Sequence, residues 1–269
     1  MVYFPPCKIN LGLHVLSKNA DGYHAIETCF YPVPWTDVLE VVPSGQFQFS
    51  SSGLFIPGEG KDNLCVRAYD LLQKDFNLPP VQFYLRKIIP PGAGLGGGSS
   101  DAAYSLKALN EIFLLNLSVE QLRIYASRLG SDCSFFMESS SKLGRGRGDI
   151  LDAIRIDLYG KFLVLVVPDI HLSTAEAYRD VTPAKRKTNL AEILARPVYE
   201  WKDRLVNDFE TSIFKKHPAI QEIKKSLYAR GAVYSSLSGS GSSVFGVFDQ
   251  PVDAKEYFSD WQYWSGELR

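Results

Sequence analysis

The chain has 269 residues, 45% of them apolar and 22% charged, with a formal net charge of −1. That length suits one large domain or two modest ones, and the composition is that of an ordinary globular protein. A charge balance so close to neutral supplies no field to gather nucleic acid or an anionic membrane, so neither is expected as a partner.

The longest apolar run, Phe162 to Val167, is far too short to cross a bilayer, and Met1 to Asn10 has no apolar signal core, so a cytoplasmic protein is expected. Cys7, Cys29, Cys65 and Cys133 are scattered with no C-x-x-C pair, which predicts reduced thiols and neither a disulfide frame nor a zinc site.

In chain order, Lys8 to Val15 reads as a strand in which Lys8 and Asn10 interrupt an apolar run. Both are costly to bury unpaired, so the residues alone fit an exposed strand edge as well as a working site. Asn19-Ala-Asp-Gly22 is turn chemistry, followed by Tyr23 and His24, an aromatic and an imidazole that solvent alone would also satisfy. Asp37 to Val42 reads as a second strand, and the Ser/Gly-rich stretch from Ser44 to Gly60 as a hairpin or loop with Phe47 and Phe49 on one face. Asn63 stands where an N-cap would, before a helix from Leu64 to Asp75. Val81 to Ile88 is a strand ending in Lys87, which either walls a pocket or projects into water.

The most informative stretch comes next. Pro90 to Ala103 reads PPGAGLGGGSSDAA, and five of the seven residues from Gly92 to Gly98 are glycine. Ala102, Ala103, Leu106, Leu109, Ile112 and Phe113 then recur at helical spacing, with Ser99, Ser100 and Asp101 placed as N-caps. A strand, a glycine loop and a helix mouth make an anion cradle. The first helical N–H groups lack intrahelical partners, the dipole puts positive charge there, and glycine lets the backbone approach closely. The loop lacks the Lys-Ser/Thr of the NTPase P-loop. It matches the dinucleotide fingerprint at Gly92, Gly94 and Gly97, but no second strand ending in an acid comes after it. The next signal along the chain is instead a capping box, Ser118-Val-Glu-Gln121, which opens a helix that closes at Gly130.

Asp132 lies on the lip of an apolar segment containing Cys133, Phe135 and Phe136, as a helix cap or a functional acid. Lys142 to Gly148, KLGRGRG, has three charges and no interleaved aromatics, so it reads as a hairpin and not as an RNA patch. Phe162 to Val167 is a strand buried on both faces, and a helix begins near Thr174 with Tyr178 in it. Thr182 to Arg196 reads as a basic connection, and Ile220 to Ala229 as a helix. Ser236 to Ser243, rich in serine and glycine between two strand-like stretches, reads as a tight turn. The tail, with Trp261 and Trp264, is aromatic enough to cover a sheet edge or a partner.

Taken together, GAGLGGGSSDAA resembles the central motif of the GHMP kinase superfamily, which includes galactokinase and the homoserine, mevalonate and phosphomevalonate kinases. Pro5 to Leu13 resembles its first motif and Ser236 to Phe245 its third, in the right order along nearly the whole chain. Ala20-Asp-Gly-Tyr-His24 with Glu27-Thr28, Lys61-Asp-Asn-Leu64 and Leu129-Gly-Ser-Asp132 narrow the likeness to the branch of the non-mevalonate isoprenoid pathway.

That resemblance implies an α+β fold of two domains. Residues 1–150 would form an ATP-binding amino domain with a ribosomal-S5-like fold, and residues 151–269 a smaller, substrate-side α+β sandwich. It implies ATP with Mg²⁺, whose protein ligands the sequence does not identify. Pro90, Pro91, Gly92, Ala93, Gly94, Leu95, Gly96, Gly97, Gly98, Ser99 and Ser100 would cradle the phosphates, with Asn63 and Lys87 near the nucleotide. Lys8 and Asp132 would be catalytic, the acid accepting or orienting a hydroxyl proton and the cation offsetting negative charge. Asn10, Tyr23, His24, Thr174 and Tyr178 would hold a small-molecule alcohol carrying a cytidine diphosphate group, phosphorylated on its 2-hydroxyl. A monomer or homodimer is equally compatible. Two alternatives stay open: a homoserine- or mevalonate-type kinase, and a non-catalytic binding relative.

Overall fold

The computed structural model describes residues 1–20, 22–57, 60, 62–184, 186 and 188–268. Asp21 of the expected turn, Lys61, and Lys185 and Lys187 of the basic connection lie outside the described residues. The chain gathers into two units. The first comprises Met1–Cys7, Trp35–Pro91 and Gly96–Ser139, and the second Lys8–Pro34, Gly92–Leu95 and Ser140–Arg269. The units are therefore interleaved along the chain, each built from separate stretches. The long hairpin Pro6–Lys18 with His24–Thr36 pairs with Lys142–Gly146, which draws amino-terminal chain into the second unit.

In the first unit, four strands line up in the order Val2–Tyr3, Val38–Pro43, Val81–Lys87, Gln48–Gly53. Gln48–Gly53 runs parallel to Val81–Lys87, so the stretch read as loop from Ser44 to Gly60 contains an edge strand. Its serines and glycine hid a strand that tertiary pairing, not propensity, holds in place. Helices Leu64–Phe76, Gly97–Ile112 and Val119–Leu129 belong to the same unit. The last has the expected capping box, Ser118 and Gln121 each satisfying the other's backbone N–H. Val81, Phe83, Leu85 and Lys87 share one buried parity of their strand, so the lysine points inward with the apolar residues.

The second unit holds two four-stranded sheets. One orders Pro6–Lys18, His24–Thr36, Lys142–Gly146 and Ile150–Ala153, so the glycine-arginine run is the hairpin its turn residues predict. The other orders Tyr234–Leu237, Val244–Phe248, Phe162–Val167 and Gln262–Glu267, every pair antiparallel. The aromatic tail covers the free edge of Phe162–Val167 by adding a strand to it, which removes a pairing hazard. Helix Leu190–Leu194 lies inside the stretch read as a connection; Asn189 caps it, accepting from Glu192 N. Leu13, Val164, Val166, Phe209, Ile220 and Leu227 are among the residues of this unit's core. All four cysteines are buried and outside any disulfide, and burial pushes the Cys133 thiol up to about 12, so it is inert at neutral pH. Among the described residues no helix is long and apolar enough to cross a membrane.

Candidate active site

The candidate residues fall in both units. In the second, alternation along Pro6–Lys18 places Lys8, Asn10, Gly12 and His14 on one side of the strand, and all but the glycine are no more than 3% exposed. Lys8 and Asn10 are thus buried, not an edge in water. Lys8 Nζ donates to Asn10 Oδ1 at 2.6 Å and to the Gly94 carbonyl at 2.9 Å, and lies 5.5 Å from the centre of the Phe30 ring. Asn10 Nδ2 donates to Thr28 Oγ1 at 2.8 Å, and Thr28 in turn to the Gly12 carbonyl at 2.6 Å. The first motif and the start of the glycine loop are one hydrogen-bonded structure.

The third motif is part of it. Ser238 Oγ donates to the Gly94 carbonyl at 3.0 Å, Ser243 Oγ to the Ala93 carbonyl at 2.6 Å, and Lys8 N to the Leu95 carbonyl at 3.0 Å. Three successive carbonyls, the groups that repel an anion, are therefore used up inside the protein. Ser236 to Ser243 is more than a turn: it grips the outer side of the glycine loop. Gly94 sits at φ +79°, and a Cβ there would stand 2.1 Å from the Ser238 carbonyl oxygen. Gly94→Ala should lose about 1 kcal/mol from backbone strain alone, more with the clash, and a thermal melt against wild type measures it.

Asn207, in an element whose chemistry was not legible in sequence, fixes the third motif from behind. Its Nδ2 donates to the Leu237 and Gly239 carbonyls at 2.9 and 2.8 Å, and Glu210 Oε1 accepts from Ser236 Oγ and Leu237 N, both at 3.0 Å. Asn207→Ala leaves two buried acceptors without these donors and should cost about 2–4 kcal/mol, read as a shift in the denaturant midpoint.

The expected substrate-side residues also assemble in this unit. His24 stacks on Tyr178, centroids 4.9 Å apart at 23°, and burial and Lys18 lower the imidazole pKa, so it is neutral at pH 7. Thr174 Oγ1 lies 3.3 Å from Ser240 Oγ, and the helix cap at this point is Ser173, not Thr174. The exposed Tyr23 ring carries the Arg147 guanidinium at 3.7 Å from its centre. Arg147 was missed because its hairpin reads as structural; only the strand pairing brings it to Tyr23.

In the first unit, the glycine helix begins earlier than its serines suggest. Gly96 is the N-cap at φ +69°, the helix runs Gly97–Ile112, and neither a capping side chain nor an acidic residue occupies the first turn. Ser99, Ser100 and Asp101 are helical residues and not caps. Ser100 is fully buried, its hydroxyl has no hydrogen-bond partner among the described residues, and its N–H is taken by the Gly96 carbonyl at 2.9 Å. Lys87 does not project into water; it is 2% exposed and bonded to Asp37 and Asp101 at 2.5 and 2.7 Å. Its inward parity was the available signal. Asn63 caps Leu64–Phe76, its Oδ1 accepting from Cys65 N at 2.9 Å. Leu64 Cδ1 lies 4.0 Å from where a Gly98 side chain would start. Asp132 is half-buried in the turn after Val119–Leu129. Its carbonyl accepts from Phe135 N at 3.2 Å, while Ser134 is the residue at the start of Phe135–Met137. Ser99 leans toward this turn and hydrogen-bonds the Cys133 thiol.

The uncapped glycine mouth suits a polyphosphate. Its donors are backbone, and its first turn carries no negative charge to repel one. Among the described residues no group of three His, Cys, Asp or Glu side chains is placed to hold a metal.

Known proteins place this arrangement in a class. The GHMP kinases N terminal domain matches residues 63–139 and the GHMP kinases C terminal domain residues 190–264. The 4-diphosphocytidyl-2-C-methyl-D-erythritol kinase of Cytophaga hutchinsonii is 50% identical to this chain, covering 93% of each protein. That of Parabacteroides distasonis is 47% identical over 100% of both. A crystal structure of 4-(cytidine 5'-diphospho)-2C-methyl-D-erythritol kinase superposes with a TM-score of 0.84 at 32% identity, covering 99% of this chain and 98% of that one. The chain belongs to the GHMP kinases and, within them, to the 4-diphosphocytidyl-2-C-methyl-D-erythritol kinase family.

Proposed function

We propose that this chain transfers the γ-phosphoryl group of ATP to the 2-hydroxyl of 4-diphosphocytidyl-2-C-methyl-D-erythritol, a step in non-mevalonate isoprenoid precursor synthesis. The observation that carries the kinase reading is the glycine helix, which opens on its own backbone donors with no capping side chain. The likeness to kinases of that name along the whole chain carries the choice of acceptor.

Bound at that mouth, ATP with Mg²⁺ supplies an activated phosphoryl group and divalent charge to its oxygens. Gly92 to Ser99 hold the phosphates, Pro90 and Pro91 shape the entry, and Asn63 lies by the nucleoside. Asp132 orients the acceptor hydroxyl and takes its proton. Lys8, held by Asn10 and the Gly94 carbonyl, offsets negative charge that grows on transfer. His24, Tyr178 and Tyr23 give the pyrimidine flat, uncharged surfaces, with Asn10 and Thr174 as polar contacts to the rest of the acceptor. The functional division is an ATP-binding amino half and a substrate-side carboxyl half, acting in the cytoplasm as a monomer or homodimer.

Coupled ADP release against a panel of acceptors tests the reading. Turnover with the cytidine-linked alcohol and none with homoserine or mevalonate is expected. Phosphorylation of mevalonate with the cytidine compound ignored would reverse it.

A further inference from the structure

A buried ion cluster lies directly under the first turn of the glycine helix. Lys87 Nζ bridges Asp37 Oδ2 at 2.5 Å and Asp101 Oδ2 at 2.7 Å, and none of the three side chains is more than 3% exposed. A Cβ on Gly97 would stand 2.9 Å from that ammonium and 3.0 Å from Ile89 Cγ2, so the first turn of the helix packs directly on the lysine and on Ile89. The two carboxylates are not equivalent. Asp37 accepts from Lys87 and also from Ile88 N and Ile89 N, at 2.6 and 2.9 Å. Among the described residues the Asp101 carboxylate accepts from Lys87 alone, and its Oδ1 has no partner.

With all three groups ionised the cluster carries a net negative charge, beneath a mouth built to receive a polyanion. A proton on Asp101 brings it to neutrality. The remaining titratable neighbour is Cys65, from helix Leu64–Phe76. Burial and the two carboxylates push its thiol up, against the pull of Lys87, so it stays protonated. Burial raises the Asp101 carboxyl to about 7, against the pull of Lys87 and with the push of Asp37.

We infer that Asp101 is a positioning residue of the nucleotide site, acting through Lys87 and the first helical turn, so that protonation of Asp101 and binding of a polyphosphate at the mouth favour each other. This rests on the reading of the mouth as the ATP site. Reciprocity requires that whatever nucleotide does to the proton, the proton does to nucleotide affinity.

Calorimetry of binding of a non-hydrolysable ATP analogue with Mg²⁺ tests it, in buffers of different ionisation enthalpy, on wild type and Asp101→Asn. Asparagine keeps an acceptor for Lys87 and removes the titration. Wild type should take up a fraction of a proton on binding near pH 7.5 that Asp101→Asn does not. Its affinity should fall about three- to tenfold more than the variant's between pH 6 and 8.5, the nucleotide's own titration being common to both. Equal proton uptake and parallel pH profiles overturn the inference while leaving the ATP site standing. Absence of binding to both overturns the nucleotide reading and the inference with it. If Asp101→Asn does not fold, the wild type alone decides: uptake no greater than the nucleotide's own contradicts the proposal.

Discussion

Asp132→Asn should fold, bind ATP with near-normal affinity, and turn over about 10²–10⁴-fold more slowly, the range that a positioned general base contributes. Asparagine copies the shape of the side chain and keeps an oxygen to orient a hydroxyl, but it takes no proton. The fold should survive because the turn is anchored by its neighbours: Cys133, Phe135 and Phe136 are each at most 2% exposed. The expected pattern is a collapse of kcat with nucleotide binding intact, measured by single-turnover kinetics beside a direct binding titration. Unchanged turnover would take Asp132 out of the chemistry. A modest loss, below about tenfold, would leave it orienting the hydroxyl without accepting the proton.

Lys8→Met is the second large effect, and it should lower kcat/KM by about 10²–10³-fold. Methionine fills a similar volume and removes the charge and all three donors. Two acceptors, Asn10 Oδ1 and the Gly94 carbonyl, then lose their charged partner in a site only 3% exposed at Lys8. A stability loss of about 1–3 kcal/mol should accompany the kinetic one, since a buried acceptor that loses its donor costs that much; the Gly94 carbonyl keeps Ser238 Oγ, so Asn10 Oδ1 bears the loss. The discriminating comparison is with Asn207→Ala. That variant also unsettles the third motif but leaves the ammonium in place, so it should lose stability without a comparable loss in kcat. Equal kinetic damage in the two would make Lys8 a scaffold residue.

Much of the fold was legible because its signals are local. The capping box at Ser118, the turn glycines of Lys142–Gly146 and the apolar Phe162–Val167 each dictate their own element. What was not legible is set by distant chain. The strand Gln48–Gly53 exists because Val81–Lys87 pairs with it, and the interleaving of units because a long amino-terminal hairpin pairs with Lys142–Gly146. Within the site the backbone donors were legible and the side chains less so. Glycines announced the cradle, yet Ser100 and Lys87, polar residues at its rim in sequence, prove to be buried beneath it. Polarity alone does not say which way a side chain points. The parity of Val81, Phe83, Leu85 and Lys87 does, and it identifies the lysine as an inward group needing partners. Arg147 gave no local sign, and the chemistry of Asn207 was not readable locally, because each acts on a segment far away in the chain.

The most direct measurement is ³¹P and ¹³C NMR of the product formed from ATP and 4-diphosphocytidyl-2-C-methyl-D-erythritol. A new phosphomonoester coupled to carbon 2 of the methylerythritol moiety, formed with one ADP per turnover, is the predicted result. ATP hydrolysed with the alcohol recovered unchanged, or a phosphate on another carbon, would contradict the account.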